Sequence, residues 1–206
     1  MSLQVEDLDD QSKYRQILAI PYDELLVFVF DNIRKKSGLM VFFWSVCFVL
    51  LGIALTVRIN IAPYFPLKHI ILHTFLGLII FPVLYIPVHE FLHIVPYWLS
   101  GAKSIRVGMD LKQYMFYVTA HRYVTSPAQY RIVALIPFLL TTIAFIFLVL
   151  LAPGLWKWSL ALFLVVHTTM CAGDFAMLNF YYLNRKKKIY TWDDFDAKMM
   201  YFYEEI

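Results

Sequence analysis

The chain has 206 residues, of which 61% are hydrophobic and only 16% are charged, and its formal net charge is +3. With a mean hydropathy of +0.64, this composition excludes an ordinary soluble domain and indicates an integral membrane protein embedded in a lipid bilayer. The basic residues lie beside apolar runs rather than along one soluble face, so we expect no nucleic-acid partner.

The N-terminal segment, residues 1–37, is polar and is predicted to lie in the cytoplasm or at the membrane interface. It starts with acidic residues and has no basic region followed by an apolar core, so we expect no cleavable signal peptide. Its one apolar run, residues 25–30, is too short to span a bilayer, and its periodicity fits an interfacial helix or a packed strand. Residues 38–57 are uncharged and match the thickness of the hydrocarbon core, which predicts the first span.

The second apolar segment, residues 69–99, is longer than a simple perpendicular helix through the bilayer. Pro82 and Pro87 lie inside it and predict a kinked or broken helix just before residue 89. Residues 105–120 then alternate apolar and polar side chains, with one polar break of two residues in the middle. Alternation with a period of two predicts a small β-hairpin at the membrane surface.

Two more spans are predicted, at residues 131–151 and 156–183. A basic run ends the last of them, so residues 38–184 are expected to form the membrane domain. Residues 185–206 form a tail, in which the spacing of the apolar residues predicts one short amphipathic helix on the membrane.

The distribution of positive charge predicts the orientation. Residues 1–37, 101–131 and 184–206 each contain five Lys or Arg residues, fifteen of the 18 in the chain. Because cytoplasmic segments carry the excess of Lys and Arg, both termini and the hairpin are expected in the cytoplasm. The expected fold is an all-α, multi-pass protein of the cell membrane, with about four transmembrane helices and a small β-hairpin on the cytoplasmic side.

A His-Glu-x-x-His pentad begins at His89 and ends at His93, near the end of the second apolar segment. Histidines four apart on a helix share one face, so both imidazoles can bind one metal ion. Glu90 projects about 100° away from His89 and can hold a water molecule without ligating the metal. Zinc suits two imidazoles and a third protein ligand, and it lowers the pKa of its water to about 7. The competing interpretation is two histidines bonded to carbonyls and a snorkelling glutamate.

Asp174 is the best candidate for the third metal ligand, because an unpaired carboxylate in an apolar helix is costly. Pairing with a basic residue, or capping a helix break at Gly173, are the alternatives. His167 lies two turns earlier on the same face, and the sequence leaves three roles open: metal ligand, hydrogen-bond donor to the transition state, or core residue that supports the site. Cys171 is explained as a small buried thiol.

Other polar residues in or beside the apolar segments are weaker candidates. His69 and His73 are also four apart, but about thirty ångströms of helix separate them from the pentad, and no Glu follows either one. We expect that pair to be structural. His121 is expected at the surface, and Asn179 is a weak candidate for a substrate contact.

These motifs resemble a small bacterial family of membrane zincin peptidases, which is distantly similar to the site-2 protease class of intramembrane metalloproteases. The resemblance covers about residues 70–185 and rests on the pentad, the strand-like segment after it and the Gly-Asp pair in the last helix. It implies Zn²⁺ held by His89, His93 and Asp174, with Glu90 as the catalytic base. The chain lacks the longer Asn-Pro and Leu-Asp-Gly signature of site-2 proteases, so substrate and regulation are not carried over.

The sequence therefore predicts a zinc-dependent, membrane-embedded metallopeptidase that hydrolyses a peptide or membrane-protein substrate through metal-activated water. His89, His93 and Asp174 are the predicted ligands, and Glu90 and His167 the predicted catalytic residues. The alternative is a non-enzymatic membrane protein with a structural metal site, acting as an anchor or a partner-binding module. A structural zinc site normally has four protein ligands, whereas the sequence offers three, which favours catalysis.

Overall fold

A computed structural model describes residues 3–110 and 115–206, and its architecture is a bundle of apolar helices with two small antiparallel sheets. The helices are α1 (Leu25–Arg34), α2 (Gly38–Ile61), α3 (Leu67–Phe75), α4 (Phe81–Leu99), α5 (Pro127–Leu151), α6 (Gly154–Met170) and α7 (Ala172–Leu183). The strands are β1 (Tyr14–Pro21), β2 (Ile105–Asp110), β3 (Met115–Ala120), β4 (Ile189–Asp194) and β5 (Met199–Glu205). A π-helical turn, Leu76–Ile80, joins α3 to α4.

The described part of the chain contains three helical segments long and apolar enough to cross a membrane, namely α2, the α3–α4 segment and α5. The bent pair α6 and α7 makes a fourth if it is one broken span. The outward faces of these helices are apolar, and Phe48 and Leu151 are 71% and 81% exposed. Soluble proteins rarely expose such continuous apolar surface, so the helices are compatible with the membrane protein that the composition predicts.

The second apolar segment continues as one helical span, and its irregularity lies at the π-helical turn just before Pro82. Proline has no N–H to donate, and a wider turn accommodates that loss without ending the helix. Here the segment crosses α6 closely, since a Cβ added at Gly77 would collide with the carbonyl oxygen of Ser159. The π-helical turn therefore fixes how α4 passes α6 on its way to the pentad.

The fourth predicted span, residues 156–183, is not one straight helix, because α6 and α7 meet at Cys171 with a bend of 41°. Cys171 has φ −71° and ψ 5°, which leaves the α-helical region. Just before the bend, the hydroxyls of Thr168 and Thr169 donate back to the carbonyls of Leu164 and Val166. Hydroxyls that bond back into their own helix promote bending, and here the bend opens a new helix N-terminus at the Gly-Asp pair.

The termini form a sheet that the sequence analysis did not predict. Strands β1, β5 and β4 pair antiparallel in that order, so the amphipathic helix predicted for the tail is wrong, and the fold is not all-α. The inner face of this sheet packs on α7, where Ile20 and Phe202 join Tyr181 in one buried cluster. Of the two possibilities for residues 25–30, the structure contains the helix, since they lie in α1. Residues 3–37 and 185–206 thus build one layer together.

The hairpin prediction is confirmed for the described residues. Strands β2 and β3 pair antiparallel, in register from Ile105 opposite Ala120 to Asp110 opposite Met115. The predicted polar break at residues 112 and 113 lies outside the described residues. Beyond β3 the chain forms two single bridges to β4, so the hairpin and the terminal sheet adjoin each other.

Candidate metal centre

Helix α4 places His89 and His93 on one buried face, as their spacing predicts. The Nε2 atoms of the two rings are 3.3 Å apart, and the residues are 7% and 9% exposed. The rings meet edge to face with their centroids 5.0 Å apart. Two nitrogen lone pairs therefore converge on one point, which is the arrangement that a shared metal ion requires.

The carboxylate of Asp174, on helix α7, lies next to the Nε2 atoms of both histidines. The bend at Cys171 puts Asp174 in the first turn of α7, where the N-terminus of a helix favours a negative charge. Its Oδ2 lies 3.7 Å from His89 Nε2, and its Oδ1 lies 3.5 Å from His93 Nε2. A straight helix through Cys171 would turn this carboxylate elsewhere, so the bend belongs to the architecture of the site.

The three groups fit zinc. Zinc–ligand bonds of about 2.0–2.1 Å in a tetrahedron hold the ligand atoms about 3.3–3.4 Å apart. The separations among His89 Nε2, His93 Nε2 and the Asp174 oxygens are 3.3, 3.5 and 3.7 Å. Two imidazoles and one carboxylate, with no other protein ligand at the same point in the described chain, are the ligand set of a catalytic zinc site.

The outer nitrogen of His93 is fixed by helix α5. His93 Nδ1 lies 3.1 Å from the carbonyl oxygen of Val133, and a carbonyl only accepts, so Nδ1 carries the proton and donates. Val133 is free for this contact because the residue four positions later is Pro137, which has no N–H to complete the helical hydrogen bond. With its proton on Nδ1, His93 keeps a bare Nε2 that could ligate a metal ion.

The outer nitrogen of His89 contacts His167. The distance from His89 Nδ1 to His167 Nε2 is 3.2 Å, and His167 is wholly buried. Within residues 3–110 and 115–206, His167 Nδ1 has no hydrogen-bond partner, and the residue does not line the cavity in front of the three groups. The structure thus brings His167 to the site through His89 Nδ1, opposite the Nε2 that faces Asp174. Its transition-state role stays a prediction.

A cavity of about 420 Å³ opens in front of the three ligands. Glu90 lies on its wall, partly buried, next to His89 and His93. Because Glu90 projects from a different face of α4 than the two histidines, its carboxylate is free of the ligand cluster. A carboxylate beside a metal site and open to a cavity can accept a proton from water held there.

The same cavity contains a carboxylate that the sequence analysis missed. Asp193 is 5% exposed and lines the wall that β4 contributes. Burial raises the pKa of this carboxyl from 3.8 to about 7. The sequence signal is strand alternation, since Ile189 and Thr191 point to the same buried side as Asp193, but it appears only once residues 189–194 are read as a strand.

The weaker candidates have other contacts. Asn179 is wholly buried, donates to the carbonyls of Asn32 and Lys35 at 2.7 and 3.0 Å, and accepts from Ser37 Oγ. It thus satisfies the carbonyls at the end of α1 and does not reach the cavity. His121 is partly buried rather than at the surface, because its Nδ1 accepts the amide N–H of Phe195.

Comparison with known proteins supports the same chemistry. A search of curated proteins and a search of solved structures each find no match. A model of the family described as "Putative zincin peptidase" matches residues 82–190, just over half of the chain, and this range contains the pentad and Asp174. The chain therefore belongs to the putative zincin peptidase family.

Proposed function

We propose that this protein is a membrane-embedded zinc metallopeptidase. The observation that carries the proposal is the convergence of His89 Nε2, His93 Nε2 and the Asp174 carboxylate on one point, with Glu90 on the wall of the adjoining cavity. These groups lie on helices whose length and apolar surface suit a bilayer. Membership of a zincin family adds independent support for zinc and for peptide hydrolysis.

The alternative is a structural metal site in a protein that anchors or binds a partner. Structural zinc is normally enclosed by four protein ligands, whereas the described residues bring three to this point. His167 is not a fourth, because it contacts the opposite nitrogen of His89. The cavity in front of the ligands supplies the access that a substrate needs and that a structural site does without.

In the proposed hydrolysis, different residues hold the metal, transfer the proton and orient the histidine rings. His89, His93 and Asp174 would hold the metal, and a bound zinc supplies Lewis-acid activation of water and of the peptide carbonyl. Glu90 takes the proton of the attacking water on its carboxylate and returns it to the leaving amine. The outer contacts of the two histidines keep their rings aimed at the metal.

The proposed orientation places both termini and the hairpin in the cytoplasm. The terminal sheet and the hairpin adjoin each other through the bridges His121–Asp193 and Thr125–Thr191, so they lie on the same side of the bundle. The segments that contain these strands also carry most of the basic residues of the chain. The substrate would then approach the site from the cytoplasmic half of the membrane.

The test compares the wild-type protein with Glu90→Gln, purified in detergent, by metal analysis and by cleavage of a panel of membrane-derived peptides. We expect about one zinc per chain in both, and a loss of cleavage of at least about a hundredfold in the variant, because the amide accepts no proton. The matched control is Glu24→Gln, the same change at an exposed position, and this variant should cleave the peptides at the wild-type rate. Equal cleavage by wild type and Glu90→Gln would refute the assigned role, and absence of zinc would refute the proposal.

A further inference from the structure

The cavity that adjoins the metal ligands has a second polar region, formed by Tyr22, Thr119 and Asp193. These residues come from three distant parts of the chain: the turn before α1, strand β3 and strand β4. Each is at least nine-tenths buried. Strand β4 thus presents a carboxylate, rather than an apolar side chain, on the face that it turns to the interior.

Asp193 lacks the compensation that a buried carboxylate needs. Its one side-chain hydrogen bond in the described chain comes from the Tyr22 hydroxyl, at 3.2 Å, and no ion pair there includes it. The hydroxyl of Thr119, on the same wall, is buried beside the Tyr22 hydroxyl. Burying a carboxylate without a cation is costly, so the site is incomplete in its polar contacts and is open to a ligand through the cavity.

The surroundings of Asp193 suit a long cationic side chain. The Tyr22 and Tyr117 rings pack edge to face with their centroids 5.1 Å apart, and aromatic faces attract cations. Met177 and Met200 also line the cavity and offer apolar surface to the methylene stem of a lysine or arginine. A carboxylate beside an aromatic pair, at the end of an apolar wall, complements both parts of such a side chain.

We propose that Asp193, together with Tyr22 and Thr119, forms a subsite that binds the side chain of a Lys or Arg residue in the peptide substrate. The inference rests on the proposed function, because it takes the occupant of the cavity to be a peptide. The subsite selects the substrate and takes no part in the chemistry of the bond. A purely structural role, in which Asp193 ties β4 to Tyr22, predicts no preference among peptides.

Binding to the inactive, zinc-loaded Glu90→Gln protein in detergent tests the subsite separately from cleavage. The probes are fluorescent peptides of about ten residues with one lysine moved through an apolar sequence, and the same series with norleucine, which has no amine. At one position we expect lysine to bind about tenfold more tightly than norleucine. Adding Asp193→Asn should remove this preference, while adding Asp196→Asn, the same change at an exposed position, should keep it.

A pH series gives a second readout. Because burial holds the pKa of Asp193 at about 7, lysine affinity should fall below pH 7, by about tenfold in all, until it equals the norleucine affinity, which stays constant. Tyr22 and Tyr117 face Asp193, but burial raises the pKa of both phenols, so they stay neutral throughout. His121 adjoins β4 in both wild type and Asp193→Asn, so the difference between these two proteins isolates Asp193.

The outcomes separate this proposal from the peptidase proposal. Equal binding of both peptide series, including no binding of either, would overturn the subsite, as would a lysine preference that survives Asp193→Asn. Cleavage by the wild type without any lysine preference would leave the peptidase standing and remove the subsite. Zinc analysis of Asp193→Asn reports whether it folds, and Thr119→Val, a milder change, should reduce the lysine preference about threefold.

Discussion

Two pairs of histidines, each four residues apart, lie on the same helical segment and have different surroundings. His89 and His93 are buried, and their Nε2 atoms meet the Asp174 carboxylate. His69 is exposed, and His73 Nδ1 lies 2.7 Å from Ser159 Oγ. No cluster of three metal-binding groups in the described chain includes either member of the second pair.

The difference between the two pairs shows that a spacing of four residues is not sufficient for a metal site. Both pairs share a helical face, but the neighbouring elements decide what that face meets. Beside His73 the neighbour is α6 with Ser159, a hydroxyl that satisfies one ring nitrogen. The neighbours of His89 are Asp174, at the N-terminus of α7, and His167. Its Nε2 faces the carboxylate of Asp174, and its Nδ1 contacts His167.

The largest expected effect on zinc binding comes from removing the carboxylate of Asp174, which lies beside His89 and His93 and has no counterpart beside His69 and His73 in the described chain. Asp174→Ala should lower zinc affinity by more than about a hundredfold and abolish cleavage, because the carboxylate supplies one of three protein ligands. His73→Ala is the matched control, and we expect it to keep one zinc per chain. Zinc content by mass spectrometry after dialysis decides between these outcomes. Full zinc occupancy in Asp174→Ala would remove it from the ligand set.

The three candidate ligands stand out in the sequence because charged groups are expensive in an apolar segment. The spacing of the pentad predicts His89 and His93, and the cost of an unpaired carboxylate predicts Asp174. The bend that aims Asp174 was not predictable in the same way. The bend depends on two threonine hydroxyls and on the backbone angles at Cys171. The apolar sequence of residues 156–183 is equally compatible with one straight helix.

The next effect concerns the outer nitrogen of His89. His167→Ala removes the contact at His89 Nδ1, and loss of such a supporting residue typically lowers metal affinity about 10- to 100-fold. Ser159→Ala removes the corresponding partner of His73 and should leave zinc affinity unchanged. Competitive titration with a zinc chelator measures both. A variant that binds zinc normally but has a reduced kcat at saturating zinc would instead support the predicted transition-state role of His167.

The terminal sheet shows a second limit of sequence reasoning. Strand β4 pairs with β5, and β5 with β1, whose partner residues lie more than 170 positions apart in the chain. Apolar residues in a tail of this length fit a helical spacing as well as a strand, and only the distant partner decides between them. A helix in the tail gives Asp193 no buried strand face, so its place in the cavity does not follow from the sequence.

The smallest effect is expected at Pro137, which lies inside α5 and is not one of the candidate ligands. Pro137→Ala restores an N–H that bonds to the carbonyl of Val133, the acceptor of His93 Nδ1. A carbonyl has two lone pairs, so the contact with His93 weakens rather than disappears, and zinc affinity should fall by about 1 kcal/mol, roughly fivefold.

The matched control for this change is Pro87→Ala in α4, which restores an N–H opposite the carbonyl of Val83. The Val83 side chain is 58% exposed, and no histidine contacts that carbonyl, so zinc affinity should stay within a factor of two of the wild type. Equal affinities for Pro137→Ala and Pro87→Ala would show that the Val133 contact does not orient His93. A fall confined to Pro137→Ala would mean that a backbone carbonyl, freed by a proline on a neighbouring helix, helps one histidine pair bind metal where the other pair cannot.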